Sequence, residues 1–436
     1  MTTQWLLAVY GHDGNAPQPA LAARILADNA GLIQNDLYLA CAAGALDIIR
    51  HAIHADPACV HGIAGQWSCP VCGKPLAFTP LTAVTHSALI QLPEFRQRLL
   101  DSARLLLDAG ADVNQPWIDG PHSLSPLYGA AGRNHNAEMT KLLLDAGANP
   151  NDGESLYHSM EAHSLECARH LLDAGAKVEG SNALHHCLDR DDLPRLQWLR
   201  APPTAEHDST SPLGPPLLWA IRRARSRAHI EALLTAGASP NALTKEGLTA
   251  AKFAQLAGLT EISALLAQSG TTEPFTTEET FVAACARCDE HEAGSILQQH
   301  PGIFQQLSEA QLRQLPNLIE AGKKDAARLM VRLGWPIAVR GGDWKASALN
   351  LAVYQGDAAL TRFLLEHGAS WTETQGFGGN VHGTLCWASR NMPPTRDYIG
   401  CAKALIDHGL PILELEGDYS PQLADFIASE RRRLSP

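Results

Sequence analysis

The fold class predicted by this 436-residue sequence is all-α, a solenoid of about eleven helix-turn-helix units with short hairpin-like loops. Three observations predict it. One phrase recurs along the chain, as LLLDAGADVN from Leu105, LLLDAGANPN from Leu142, HLLDAGAKVE from His170, LLTAGASPN from Leu233 and LLEHGAS from Leu364. Its glycine falls at Gly110, Gly147, Gly175, Gly237, Gly334, Gly368 and Gly409, at spacings built from units of about 33 residues. Apolar residues at helical spacing precede each of these glycines, which sit where a helix C-terminus needs a left-handed residue.

The other half of each unit is a short helix opening on a turn. It is seen in SPLYGAA from Ser125, ESLYHSM from Glu154, NALHHCL from Asn182, PPLLWAI from Pro215, SALNLAV from Ser347 and GTLCWAS from Gly383. First helices are expected near Leu37, Thr79, Ser125, Glu154, Asn182, Pro215, Leu248, Phe281, Leu312, Ala348 and Thr384, those near Phe281 and Leu312 being degenerate. Residues 1–34 are expected to form an N-terminal cap and residues 416–436 a C-terminal cap. Arg431 to Arg433 suit the negative dipole end of a last helix. The Thr-, Glu- and Pro-rich stretch Ser269 to Thr280 predicts a division into blocks 35–270 and 271–415, with insertions in the first at 61–78, 87–98 and 201–216.

These phrases resemble the ankyrin-repeat family, with its T-P-L-H-x-A pattern kept best in TPLTAV from Thr79. The resemblance covers nearly all of residues 35–412. It implies paired antiparallel helices stacked into a right-handed-curving array with a concave groove. By the same alignment Tyr157 replaces the framework histidine, while His185 keeps that position and is expected to order its loop.

Composition narrows the function. A formal net charge of -12, from 46 acidic against 34 basic residues, repels phosphate backbones and anionic lipid, so neither nucleic acid nor membrane is an expected partner. The apolar run Trp5 to Tyr10 is far short of a membrane span and lacks a basic leader. Ten cysteines scattered through apolar helical patterns fit reduced thiols. A cytoplasmic monomer is expected.

Departures from the repeat pattern are the candidate sites. SCPVCGKPLAF places Cys69 and Cys72 at zinc-knuckle spacing, with Cys59 and His61, or His86, as the further donors. A structural zinc and an unliganded loop both fit this single pair. Cys285 and Cys288, in FVAACARCD, read as core. The stretch Ser87 to Leu100 is expected to lengthen both helices of its unit, and APPTAEHDSTSPLGPP from Ala201 reads as a surface loop. Enlarged turns give GRNHNAE from Gly132 and RRARSRAH from Arg222. Carrying the family's contact positions over selects Arg133, Asn134, His135, Glu161, Asp189, Arg190, Arg222, Arg223 and Arg225 as a partner-binding stripe, with Tyr354 and Gln355 later in the array. Trp67, Trp117, Trp344 and Trp371 are placed in loops, and aromatics and arginines are what interfaces favour.

Two functions follow. The first is a non-catalytic scaffold that holds another protein in the ankyrin groove, with no cofactor beyond the zinc just considered. The alternative is an enzyme or small-ligand receptor whose pocket draws on Tyr128, His135, Tyr157, His158, Glu161, His186 and Asp189. Against the second, the sequence contains no Gly-rich phosphate loop, nucleophile elbow or complete metal constellation. NDGESLYHSMEAH from Asn151 looks rich in chemistry, but His158 and His163 miss the i, i+4 spacing of a metalloprotease helix.

Overall fold

The computed structural model describes residues 1–11, 16–63, 77–119, 122–199, 215–412 and 416–434. The chain divides into two compact units, Met1–Pro212 and Leu213–Pro436. Ser269–Thr280 falls inside the second. There Thr276 caps helix Thr277–Ala286, its hydroxyl accepting from the Glu279 N–H while the Glu279 carboxylate accepts from the Thr276 N–H.

Helix pairs follow one another as expected, and each first helix starts within a few residues of its predicted position. In the first unit the first helices are Leu37–Ala43, Pro80–Thr85, Tyr128–Arg133, Ser155–Ser159 and Ala183–Asp189. Their second helices are Leu46–Ala55, Pro93–Asp108, Ala137–Asp145, Glu166–Asp173 and Leu193–Leu199. We number these repeats 1 to 5. In the second unit repeats 6 to 11 have first helices Pro216–Arg222, Ala250–Leu256, Thr277–Ala286, Gln314–Glu320, Ala348–Tyr354 and Val381–Asn391. Sheet among the described residues is confined to two two-stranded hairpins, Trp117–Asp119 with His122–Leu124 and Arg340–Gly341 with Ala346–Ser347.

Local chemistry sets these elements. Thr79 shows how a first helix starts: its hydroxyl accepts from the Thr82 N–H at 3.0 Å, Thr82 returns a bond to the Thr79 N–H, and Pro80 takes the first helical position. The recurrent glycine shows how a second helix stops. All seven glycines have φ between 92° and 99°. At each, the next residue's N–H turns back to the carbonyl four residues before the glycine, as from Ala111 to Leu106, Ala148 to Leu143, Ala176 to Leu171 and Leu410 to Leu405. The residue supplying that carbonyl is Leu106, Leu143, Leu171, Leu233, Met330, Leu364 or Leu405, and each is buried. Burying such a side chain contributes about 1.5–3 kcal/mol. Asparagines after the glycine then tie repeats together: Asn114 Oδ1 accepts from the Asn149 N–H at 2.8 Å, and Asn151 Oδ1 from the Lys177 N–H at 2.7 Å.

Several expectations need correction. The insertion after Thr85 lengthens only the second helix, Pro93–Asp108, of 16 residues, while the first ends at Thr85 and a 3-10 turn, Ala88–Gln91, intervenes. That turn receives the N-terminal pair Thr2–Tyr10 and Pro19–Asp28. Trp5 donates to the Ala22 carbonyl and Tyr10 to the Ala83 carbonyl, so this pair packs into repeat 2 as well as preceding repeat 1. Trp117 belongs to the core, 2% exposed, against Phe78 and His86, because its hairpin strand turns it inward. Cys285 is core, but Cys288 lies past the helix end at φ 62° and is exposed. The eight described cysteines are free thiols.

The first helix of repeat 3 is π-helical over Tyr128–Arg133. A Cβ on Gly129 would lie 2.5 Å from His86 Nδ1, so glycine is what allows repeats 2 and 3 to close there. Gly147 differs, having positive φ but open space around its missing Cβ. Gly147→Ala should therefore cost about 1 kcal/mol of first-unit stability through backbone strain alone, and Gly129→Ala about 2–3 kcal/mol through overpacking. Urea unfolding of both variants checks the ranking, and a reversed order would contradict it.

Candidate functional site

A continuous ladder of rings crosses successive first helices of the first unit. His86 of repeat 2 lies edge-on to Trp117 at 5.6 Å and 5.9 Å from Tyr128 of repeat 3. Tyr128 meets His158 of repeat 4 at 5.3 Å, His158 meets Tyr157 at 4.8 Å, and Tyr157 meets His186 of repeat 5 at 4.9 Å. His86 and His186 are buried, whereas Tyr128, Tyr157 and His158 are half-buried. Gly132 makes the close approach possible, since a Cβ there would meet the Tyr128 ring and the His158 Cβ.

Charge surrounds the middle of the ladder. His158 Nε2 lies 3.3 Å from Glu154 and Nδ1 lies 3.3 Å from Glu161. Both ring nitrogens face carboxylates, and only the doubly protonated imidazolium can donate to both. Burial pulls the His158 pKa down, but the bonds and charges of Glu161 and Glu154 outweigh it and hold the group above its ordinary value. The same bond from His158 holds Glu161 below the usual carboxylate range. His86 is the reverse case: full burial, with the Arg133 charge adding to it, lowers its pKa to about 3, so it is a neutral core ring.

In the second unit a four-charge cluster joins repeats 6 and 9. Arg222 reaches Asp343 at 2.6 Å and Glu320 at 4.0 Å, and Arg223 pairs with Asp343 and, at 3.7 Å, with Glu320. Both guanidiniums lie over the Trp219 ring, at 5.5 and 4.5 Å. Burial and the neighbouring Asp343 charge raise the Glu320 pKa, against the pull of Arg223 and Arg222. Nearby, Trp344, Tyr354 and Trp387 form a second aromatic group, with Trp387 54% exposed.

A family profile for the ankyrin repeat matches residues 122–155, which run from the second strand of the first hairpin through repeat 3 to the start of repeat 4. The matched phrase is the one repeated along both units. Residues 122–155 are an ankyrin repeat. The solved ankyrin repeat domain of Bcl-3, described as a unique member of the IκB protein family, is similar at 18% identity, covering 56% of this chain and 97% of that one. Its TM-score is 0.25, too low for the likeness to bear on the fold. No curated protein matches the chain.

On this ankyrin framework the sequence-derived residues sort themselves. Tyr128, Tyr157, His158, Glu161 and His186 are brought together, and Asp189 acts on Tyr157 and His186 through its charge. His135 is apart from them, its Nδ1 3.0 Å from its own turn's Ala131 carbonyl. Asn134 is buried and donates to the Thr85 and Ser87 carbonyls, so it fastens repeat 3 to repeat 2 and is no exposed contact. Arg222 and Arg223, expected in the partner-binding stripe, are engaged with Glu320 and Asp343 inside their own unit. Arg225 and Arg133 are half-buried, and Arg190 is exposed. Gln355 donates to the Ile319 carbonyl, and the Tyr354 carbonyl accepts from Arg396 and Tyr398. His185 is buried, in keeping with a framework position.

Trp67, Cys69, Cys72 and most of the 201–216 loop lie outside the described residues. Cys59 and His61 lie in the turn Pro57–His61. Among the described residues no three His, Cys, Asp or Glu side chains gather as a metal ion requires, and no helix is long and apolar enough to cross a membrane. An open cleft of about 570 Å³ lies between the second helices of repeats 2, 3 and 4, lined by charged groups such as Arg104, Glu138, Lys141 and Asp145, away from the ladder.

Two measurements test this electrostatic picture. By NMR titration His158 should titrate above the ordinary histidine value of about 6.5 and His86 near 3. Because the folded pKa of His158 is raised, its bonds stabilise the first unit fully below the unfolded value and lose that effect as pH rises through the folded one. A His158 titrating below the ordinary value would contradict this. In the second unit, Arg223→Ala should cost about 2 kcal/mol by leaving Glu320 and Asp343 under-compensated. Asp343→Asn in the same chain should restore part of that loss, whereas strict additivity of the two changes in urea unfolding would remove the cluster from the account.

Proposed function

We propose that this ankyrin-repeat protein is a non-catalytic scaffold that seats another protein on the first-helix face of repeats 3 to 5. Ankyrin repeats serve generally as protein–protein interaction modules, and stacked repeats offer an extended surface with no inherent chemistry. One observation carries the choice of face. Tyr128, His158 and Tyr157 stand in contact on consecutive first helices, half-buried, ringed by charge, as interface anchors with a polar rim are arranged. A catalytic reading finds less support there, because the imidazole that would serve as general base has both nitrogens occupied by Glu154 and Glu161.

The test compares capture by the purified protein from its native cell extract. A stoichiometric partner should be held by the wild type and by an outer-cleft control, Arg104→Ala with Lys141→Ala. It should be weakened at least tenfold by Tyr128→Ala with Tyr157→Ala, given that truncated anchors cost roughly 2 kcal/mol or more, while circular dichroism stays unchanged. Capture that survives the tyrosine changes, or a retained small molecule with no protein partner, would overturn the proposal.

A further inference from the structure

We infer that the face around His158 takes a lysine- or arginine-bearing segment of its partner, and that the His158 imidazolium is a built-in competitor for that segment's cation. This rests on the scaffold reading above and adds the chemistry of the partner.

Three successive repeats surround the His158 ring. From repeat 3 come Tyr128 and, at the margin, Arg133; from repeat 4 come Glu154, Tyr157 and Glu161; from repeat 5 comes His186, with Asp189 and Arg190 beyond it. Asp152 lies on the same side, accepting from the Ser125 and Ser155 hydroxyls. Four carboxylates thus face two guanidiniums, and the patch is anionic while His158 is neutral. Two half-exposed tyrosine rings flank the carboxylates. Carboxylates beside aromatic faces suit a cation, which gains from both the charge and the ring quadrupole.

The molecule supplies its own occupant. His158 bridges Glu154 and Glu161 at 3.3 Å each while lying edge-on to both tyrosines. A partner's ammonium or guanidinium approaching this face would meet the same two carboxylates. Protonated His158 neutralises part of the field and holds both acids; neutral His158 can donate to only one and releases the other. Binding of a basic segment should therefore tighten as pH rises through the His158 titration. An acidic segment would show the opposite trend.

Fluorescence anisotropy with a short alternating lysine–alanine peptide, and a glutamate–alanine peptide as counter-probe, tests this on the full chain. The lysine peptide should bind severalfold more tightly at pH 8 than at pH 6, and the glutamate peptide should not bind. Glu154→Gln with Glu161→Gln should weaken the lysine peptide roughly tenfold, whereas Glu138→Gln with Glu166→Gln, an equal charge change on the second helices, should leave it unaltered. In His158→Gln the pH effect should vanish while binding persists at both pH values, with circular dichroism confirming the fold. Equal weakening by the two glutamine pairs would reduce the effect to diffuse charge and overturn the inference, as would a pH effect that persists in His158→Gln. A native partner that needs Tyr128 and Tyr157, together with no binding of the lysine peptide, would end this inference and leave the scaffold reading standing. Loss of dependence on the tyrosines would end both.

Discussion

The structure depends on one recurring turn. A left-handed glycine lets the next N–H reach back to the carbonyl of a buried leucine or methionine, and this closes the second helices of repeats 2, 3, 4, 6, 9, 10 and 11 in the same way. Because the turn is the same where it recurs, as in repeats 2, 3 and 4, the chain leaves those second helices alike, and equivalent residues of the successive first helices come into line. Neither helix of a pair has enough apolar surface to be stable alone. Alanine-rich first helices such as Leu37–Ala43 are buried almost completely by their neighbours, so the turn and the stack reinforce each other.

Lining up equivalent positions is what creates a candidate site from residues far apart in the chain. Tyr128, His158 and His186 come from three repeats and form a row because the repeats share one register. The departures from regularity adjust that row. The π-helical turn at Tyr128–Arg133, with Gly129 seated on His86 and Gly132 on His158, brings the repeat 3 ring into contact with those on either side. In the second unit the same ends of the first helices are used differently, since Arg222 and Arg223 are spent on Glu320 and Asp343.

Much of this was legible in the sequence, and the reason is periodicity. The glycine phrase and the apolar spacing before it are local, and both the left-handed turns and the first-helix starts follow from them. The membership of Tyr128, Tyr157, His158, Glu161 and His186 in one face was also readable, because repeat alignment assigns equivalent positions to equivalent places. Pairing across repeats was not. Nothing in RRARSRAH shows that Asp343, 120 residues on, meets Arg223, and nothing in GRNHNAE shows Asn134 turning inward to the Thr85 carbonyl. Trp117 was misplaced for a related reason: a loop tryptophan finds its burial through contacts with Phe78 and His86 that no local pattern encodes. The sequence did carry one unused signal, the paired glycines Gly129 and Gly132 inside a first helix, where glycine is costly unless something must approach closely.

The central claim is that the first-helix ends of repeats 3 to 5 are the surface where a partner sits. Hydrogen–deuterium exchange of the chain with and without its captured partner tests it most directly. Added protection is expected over residues 128–135, 154–163 and 183–190, with residues 93–108 and 166–173 of the second helices unchanged. Protection confined to the second helices, with the 154–163 segment unaffected, would contradict it.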